Sequence, residues 1–197
     1  MDSENKLCEV DLPRIVGGTA KGRRLRSPAG GVRPATARAR QALFDYLMQM
    51  IPEARVLDLY CGSGGLGLEA LSRGAASAHF VDIAHKSIRY TYDNVCRLGF
   101  EGRASYTCRD VFRFLHQFQP EGFEPFDIIF ATPPYKVAQP QRIIEEIAAA
   151  GALLPGGLVC LEYSRHTAPP VESLLELIRR RKYGETVIEV WERKSER

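Results

Sequence analysis

Arg55-Val-Leu-Asp-Leu-Tyr-Cys-Gly-Ser-Gly-Gly-Leu-Gly-Leu-Glu-Ala-Leu71 is the stretch that decides how this chain folds. Its apolar run, Val56 to Leu59, stops at a cluster of glycines, and helical spacing resumes through Leu66, Ala70 and Leu71. The pattern predicts a buried strand, a tight glycine turn and a helix, the opening of a nucleotide-binding βαβ unit. Gly62, Gly64 and Gly67 satisfy G-x-G-x-x-G, which alone fits NAD or FAD. Asp58 argues for another ligand. It sits four positions before the first glycine, where its carboxylate would repel a pyrophosphate held on the helix N-terminus. S-adenosylmethionine has no phosphate and carries an ammonium and a sulfonium, so an acid attracts it. It is the preferred cofactor on this stretch, with NAD the alternative.

Strand and helix patterns alternate on both sides of this unit. Ser77–Asp82 reads as a second strand ending in an acid 20 residues past Gly62, where a carboxylate reaches the ribose hydroxyls of either nucleotide. His85–Leu98 is a helix closed by Gly99, and Ala104–Cys108 is a third strand. Asp110 follows that strand and is a candidate acceptor for the adenine amino group. Phe126–Ala131 is a fourth strand, followed by Thr132-Pro133-Pro134-Tyr135. Two prolines can enter neither a sheet ladder nor a helix interior, so they predict a rigid turn at the carboxyl edge of the sheet. Tyr135 there offers a ring on which an extruded base can stack. Ile143–Ala150 is read as helix, Pro155–Gly157 as a turn and Leu158–Glu162 as a fifth strand. Glu172–Arg180 is read as helix, with a closing hairpin over 181–191. The whole predicts an α/β fold with a mostly parallel sheet covered on both faces.

Charge is unevenly placed. The 197 residues carry a net +3, yet Leu12 to Phe44 holds eight Lys/Arg and no acid. Removing that +8 leaves about −5 for the remainder. A basic segment on a mildly acidic body is the electrostatic footprint of a polyanion, and Arg14, Lys21, Arg23, Arg24, Arg33, Arg38 and Arg40 are the candidate RNA contacts. Arg14–Leu25 reads as a basic hairpin, and Ala37 to about Met50 as an amphipathic helix after an N-cap at Thr36. Residues 1–52 are therefore expected to form an N-terminal extension that covers the cofactor, with 53–197 the catalytic domain. Five scattered cysteines without a C-x-x-C pair predict neither a disulfide frame nor a metal site. No apolar run approaches bilayer length and no signal-peptide pattern opens the chain, so a cytoplasmic protein is expected, and a monomer is the expected state.

Taken together, R-I-V-G-G-x-x-x-G-R-R-L at 14–25, R-P-x-T-x-R-x-R-x-x-L-F at 33–44, V-L-D-L-Y-C-G-S-G-x-L-G-L-E-A-L-S-R-G-A at 56–75, P-P-Y at 133–135 and R-R-x-Y-G-E-T at 180–186 are specific. On these motifs the chain resembles the bacterial small-subunit ribosomal RNA guanine-N2 methyltransferase family from Arg14 to Arg193. The resemblance implies a Rossmann-like methyltransferase fold of seven strands with the last antiparallel. It also implies S-adenosylmethionine as methyl donor and a preassembled small subunit, its RNA and neighbouring ribosomal proteins, as substrate and partners. The candidate cofactor set is Asp58, Tyr60, Gly62, Ser63, Gly64, Asp82, Ile83, Asp110, Val111 and Thr132. The candidate catalytic set is Thr132, Pro133, Pro134 and Tyr135. Three positions depart from the family pattern. Thr132 stands where the motif after the fourth strand begins with Asp or Asn, Ala35-Thr36-Ala37 replaces Thr-Thr-Asp, and Gln41 replaces a Glu. Thr132 accepts a hydrogen bond without charge, so a slower enzyme, or one that borrows an acceptor, is expected. An RNA-binding protein that has lost turnover and an adenine-amino methyltransferase are the alternatives.

Overall fold

The computed structural model describes residues 13–27, 37–119, 121–135, 138–171 and 174–194. Within them, strands β1 (Arg55–Leu59), β2 (Ser77–Asp82), β3 (Ala104–Cys108), β4 (Phe126–Ala131), β5 (Leu153–Ser164), β6 (Leu175–Tyr183) and β7 (Thr186–Arg193) form one sheet. Its order is β3-β2-β1-β4-β5-β7-β6. The first five strands pair in parallel, and β7 is antiparallel to both β5 and β6. Helices α1 (Ala37–Tyr46), α2 (Gly65–Ser72), α3 (His85–Leu98), α4 (Val111–His116) and α5 (Pro140–Ala149) complete the described elements. This is the Rossmann-like methyltransferase fold expected from the sequence.

Alternation along each strand sorts the core into two layers. Val56 and Phe80 face α1, α2 and α3, packing against Phe44, Leu47, Leu68 and Val95. Leu57 and Ile129 face the other way, against Phe114 of α4 and Ile143 and Ile147 of α5. Because side chains alternate, Asp58 shares the face of Val56 and so points to the α1–α2 side. The order reverses at β1, which lies between β2 and β4. At such a switch point the helices leave in opposite directions and open a crevice beyond the strands' carboxyl ends.

Among its described residues, the N-terminal segment shares the core of the sheet. Ile15, Leu25, Leu43 and Phe44 are buried in the same cluster as Val56 and Phe80. The expected hairpin over 14–25 reduces to one antiparallel bridge, Arg14 to Arg24. Ile15 N–H donates to the Arg23 carbonyl at 3.0 Å and Leu25 N–H to the Pro13 carbonyl at 2.8 Å across it, and the end of α2 holds it as well. Val16 N–H donates to Glu69 Oε2 at 2.7 Å, Ala20 N–H to Ser72 Oγ at 2.9 Å and Thr19 N–H to the Ser72 carbonyl at 2.8 Å. Gly18 permits this contact. Its φ is +73°, and a Cβ there would lie 1.8 Å from the Ser72 carbonyl oxygen. The N-cap expected at Thr36 lies outside the described residues.

One element was misread. Of the expected helix Glu172–Arg180, residues 172 and 173 lie outside the described residues and the rest is not helical: Leu175–Tyr183 is β6, paired with β7 from Leu175↔Arg193 to Tyr183↔Thr186. Leu, Glu and Arg favour helix locally, but the turn at Gly184-Glu185 brings the segment against an already paired β7, and the ladder outweighs propensity. Likewise Pro155–Gly157 lies inside β5, at a register shift opposite Phe126–Ile128, and does not precede the strand.

Candidate active site

Local backbone geometry shapes the turn after β1. Tyr60 takes φ +58°, a left-handed conformation rare for a residue with a side chain, and Gly62 and Gly64 take +58° and +81°. Strain at a non-glycine residue persists where the surroundings demand it, and here it turns the chain sharply into α2. Gly67 lets α2 lie against β2, since a Cβ would fall 2.4 Å from Phe80 Cε1. Two acids fasten the turn. Asp58 Oδ2 accepts from Gly67 N–H at 2.9 Å, and Asp82 accepts from Gly62 N–H at 3.0 Å and Ala84 N–H at 2.8 Å.

Above the turn opens a cavity of about 440 Å³, within the size range of small-molecule sites. Asp58, Tyr60, Gly62, Ser63, Asp82 and Ile83 line it together with Thr132, Pro133, Pro134 and Tyr135. Ten residues singled out from the sequence are thus gathered around one space. Three others stand outside its lining: Gly64 caps α2, Val111 is buried, and Asp110 caps α4 by accepting from Arg113 N–H at 3.1 Å.

The basic residues divide. Arg14, Lys21, Arg23, Arg24 and Arg38 are exposed, Arg33 lies outside the described residues, and Arg40 is buried at 5% exposure. Burial removes Arg40 from the surface patch and places it in the cavity wall. The reason is its spacing: Arg40, Leu43, Phe44 and Leu47 form the i, i+3, i+4, i+7 stripe that α1 turns inward. That periodicity was available in the sequence. Arg40 Nη1 donates to the Arg14 carbonyl at 3.1 Å, while Nε is buried without a partner among the described residues. Its guanidinium lies over the start of α2, 3.6 Å from where a Gly65 Cβ would be. A cation set against a helix N-terminus, itself partly positive, favours an anion between them.

Glu162 was missed too. It is 7% exposed, lines the cavity, and its Oε1 accepts from the Tyr135 hydroxyl at 3.1 Å. The signal lay in the pattern already used for Asp58 and Asp82, an acid closing a buried strand. Burial pushes the Asp58 carboxyl up to about 7, against the Gly67 N–H that favours its charged form. Burial also raises Glu162 to about 7, opposed by the Tyr135 hydroxyl and by Arg40. A ligand carrying cationic groups and one carboxylate complements this set. A pyrophosphate does not, because two more negative charges would meet Asp58, Asp82 and Glu162 with Arg40 as the one lining cation among the described residues. Among the described residues no group of three or more His, Cys, Asp or Glu is gathered to hold a metal ion.

A family model described as "Conserved hypothetical protein 95" matches residues 13–192. The chain is 33% identical over 187 residues to "Putative rRNA methyltransferase YlbH" of Bacillus subtilis, covering 92% of this chain and all of that one. It is 32% identical over 185 residues to "Ribosomal RNA small subunit methyltransferase D" of Escherichia coli, covering 93% and 91%. The solved "Putative methyltransferase yhhF from Escherichia coli" superposes with TM-score 0.82 at 32% identity, over 93% of this chain and 98% of that one. Fold, turn, cavity and relatives agree, and this chain belongs to the family of ribosomal RNA small subunit methyltransferase D.

Proposed function

We propose that this protein transfers a methyl group from S-adenosylmethionine to the exocyclic N2 amine of a guanine in small-subunit ribosomal RNA. The observation that carries the reading is the single cavity shared by the glycine turn and Thr132–Tyr135. The names of the relatives support ribosomal RNA as the substrate class. An assembled or nearly assembled subunit in the cytoplasm, with its RNA and adjacent ribosomal proteins, is the proposed partner of a monomeric enzyme.

The cofactor fits the residues present. Asp58 Oδ1 has no hydrogen-bond partner among the described residues and faces the cavity, suited to the ammonium. Arg40, with its orphaned Nε, suits the methionine carboxylate, and Asp82 the ribose hydroxyls. Ile83 is 69% exposed beside the turn and offers apolar contact to the adenine. When bound, the cofactor supplies an electrophilic methyl on sulfur. The chain's own work is positioning, which supplies most of the acceleration when the reacting atoms are held in line. Pro133, buried, fixes the turn whose carbonyl is available to the amine, and Tyr135 holds the base once it has left its stack. The Tyr135 ring is tethered, because its hydroxyl also lies 2.7 Å from Thr186 Oγ1. Asp110 and Val111 are proposed at the adenine rim, next to Ile83. The exposed Arg14, Lys21, Arg23, Arg24 and Arg38 are proposed to track the phosphates.

The test is transfer of labelled methyl to unmodified small subunits followed by nucleoside analysis. Label in N2-methylguanosine is expected. Label in methyladenosine would move the target base. No label with competent subunits and bound cofactor would favour a binding protein.

A further inference from the structure

The cavity contains a buried carboxylate one strand away from the position where this chain lacks one. Ala131 of β4 pairs with Leu161 of β5 in parallel register. The next residues, Thr132 and Glu162, therefore stand side by side at the carboxyl edge, on strands about 4.8 Å apart. Glu162 Oε1 is engaged by Tyr135, and no other hydrogen bond to this carboxylate is present among the described residues. A carboxylate this deeply buried is stabilised when its open oxygen gains a donor, and the cavity is where a donor would arrive.

We propose that Glu162 accepts the departing hydrogen of the substrate amine, supplying the carboxylate that Thr132 does not. This rests on the amino-methylation reading above. As the new N–CH3 bond forms, the methyl–sulfur bond breaks and its electron pair goes to sulfur. The nitrogen then carries one proton in excess. Its N–H bond breaks, the pair stays on nitrogen, and the proton passes to Glu162 Oε2 and later to solvent. Tyr135, bonded to the other oxygen, both orients the carboxylate and stands beside the base it serves.

The charged form is the acceptor, and two neighbouring groups act on it. Burial opposes ionisation, while Arg40 from α1 and the Tyr135 hydroxyl from the turn after β4 favour it; Asp58 of β1 lines the same cavity. With burial raising Glu162 to about 7, transfer should increase with pH through neutrality and level off above it.

The experiment is single-turnover transfer to unmodified small subunits at saturating cofactor, with S-adenosylhomocysteine affinity measured alongside by calorimetry. Glu162→Gln should slow transfer by about 10²–10³-fold, the usual loss for one electrostatic stabiliser, without weakening S-adenosylhomocysteine binding. Its pH profile should lose the limb near neutrality. Adding Thr132→Asp to Glu162→Gln should recover transfer by about tenfold or more, because a carboxylate returns one strand over. A merely structural Glu162 would not be rescued this way. Glu162→Gln at the wild-type rate would overturn the proposal, as would a loss that tracks cofactor affinity and resists the second substitution. The reading of the target base fails separately: the wild-type product reports which amine is methylated, and the variant ratio is measured on that product. A native chain that is inactive until Thr132→Asp revives it would overturn the role of Glu162 and leave the amino-methylation reading standing.

Discussion

Asp58, Tyr60, Gly62, Ser63 and Asp82 reach the cavity from one continuous βαβ run, whereas Arg40, Thr132, Tyr135 and Glu162 reach it from α1, the turn after β4 and β5. The first group is shaped by backbone: positive φ angles, N–H donors and the absence of Cβ atoms. The second is shaped by side chains that meet only when distant strands pair. The difference teaches what each group can tolerate. The glycine turn should be sensitive to volume and the second group to charge.

Arg40→Met is the sharpest way to break that division. It removes a charged partner proposed for the cofactor carboxylate, worth about 1.5–3 kcal/mol. Affinity for S-adenosylhomocysteine should fall by about 10–100-fold, while 5′-methylthioadenosine, which lacks the amino-acid moiety, should bind as before. Equal losses for both ligands would make Arg40 structural. Gly67→Ala tests the volume side, because its methyl group would meet the Phe80 ring. Urea unfolding should show a loss of about 1–3 kcal/mol, the cost of overpacking a filled core.

A pH titration sharpens the comparison further. The Asp58 carboxyl is raised to about 7 in the free protein, so a cationic ligand should bind more tightly as pH rises and the group ionises. Between pH 6 and 8 the gain should approach about tenfold in calorimetry, and Asp58→Asn should flatten it. Folding stability runs the opposite way. Asp58 and Glu162 both titrate higher folded than unfolded, so their contribution is full below about 4 and declines as pH rises through about 7. Thermal melts of the free protein should follow that slope, and saturating cofactor should reduce it. The smallest effect concerns the surface. Arg24→Ala should lower the salt slope of RNA binding by about 0.7–0.9, the share of one phosphate contact. Arg40→Met should leave that slope unchanged.

The fold was legible where a pattern is local. The run from Val56 to Leu59 and the glycines after it announce strand, turn and helix within a single window. The match of 13–192 to the family model agrees with the resemblance carried by the motifs. Legibility failed where pairing decides. Leu175–Tyr183 has helix-forming composition, and only β7 makes it a strand. Arg40 was grouped with the surface cations because charged residues usually lie outside, although its spacing from Leu43, Phe44 and Leu47 marked the inner face of α1. Glu162 closes a strand as Asp82 does, but no glycine turn drew attention to it. Proximity between Glu162 and Thr132 is a property of the β4–β5 register and of no sequence window.

Asn94 gives the molecule a further property. Its Nδ2 donates to the Arg26 carbonyl at 2.9 Å and to the Ser63 carbonyl at 3.0 Å, and its Oδ1 accepts from Arg26 N–H at 2.8 Å. One amide thus latches the basic arm to the glycine loop. With RNA on the arm and cofactor at the glycine loop, as proposed, such a latch would make the two ligands thermodynamic partners: whatever the cofactor gains from a settled arm, RNA gains equally from a bound cofactor. Hydrogen exchange at residues 13–27, with and without S-adenosylhomocysteine, reads that reciprocity directly. Slower exchange in the arm on binding is the expected result, and Asn94→Ala should abolish the difference.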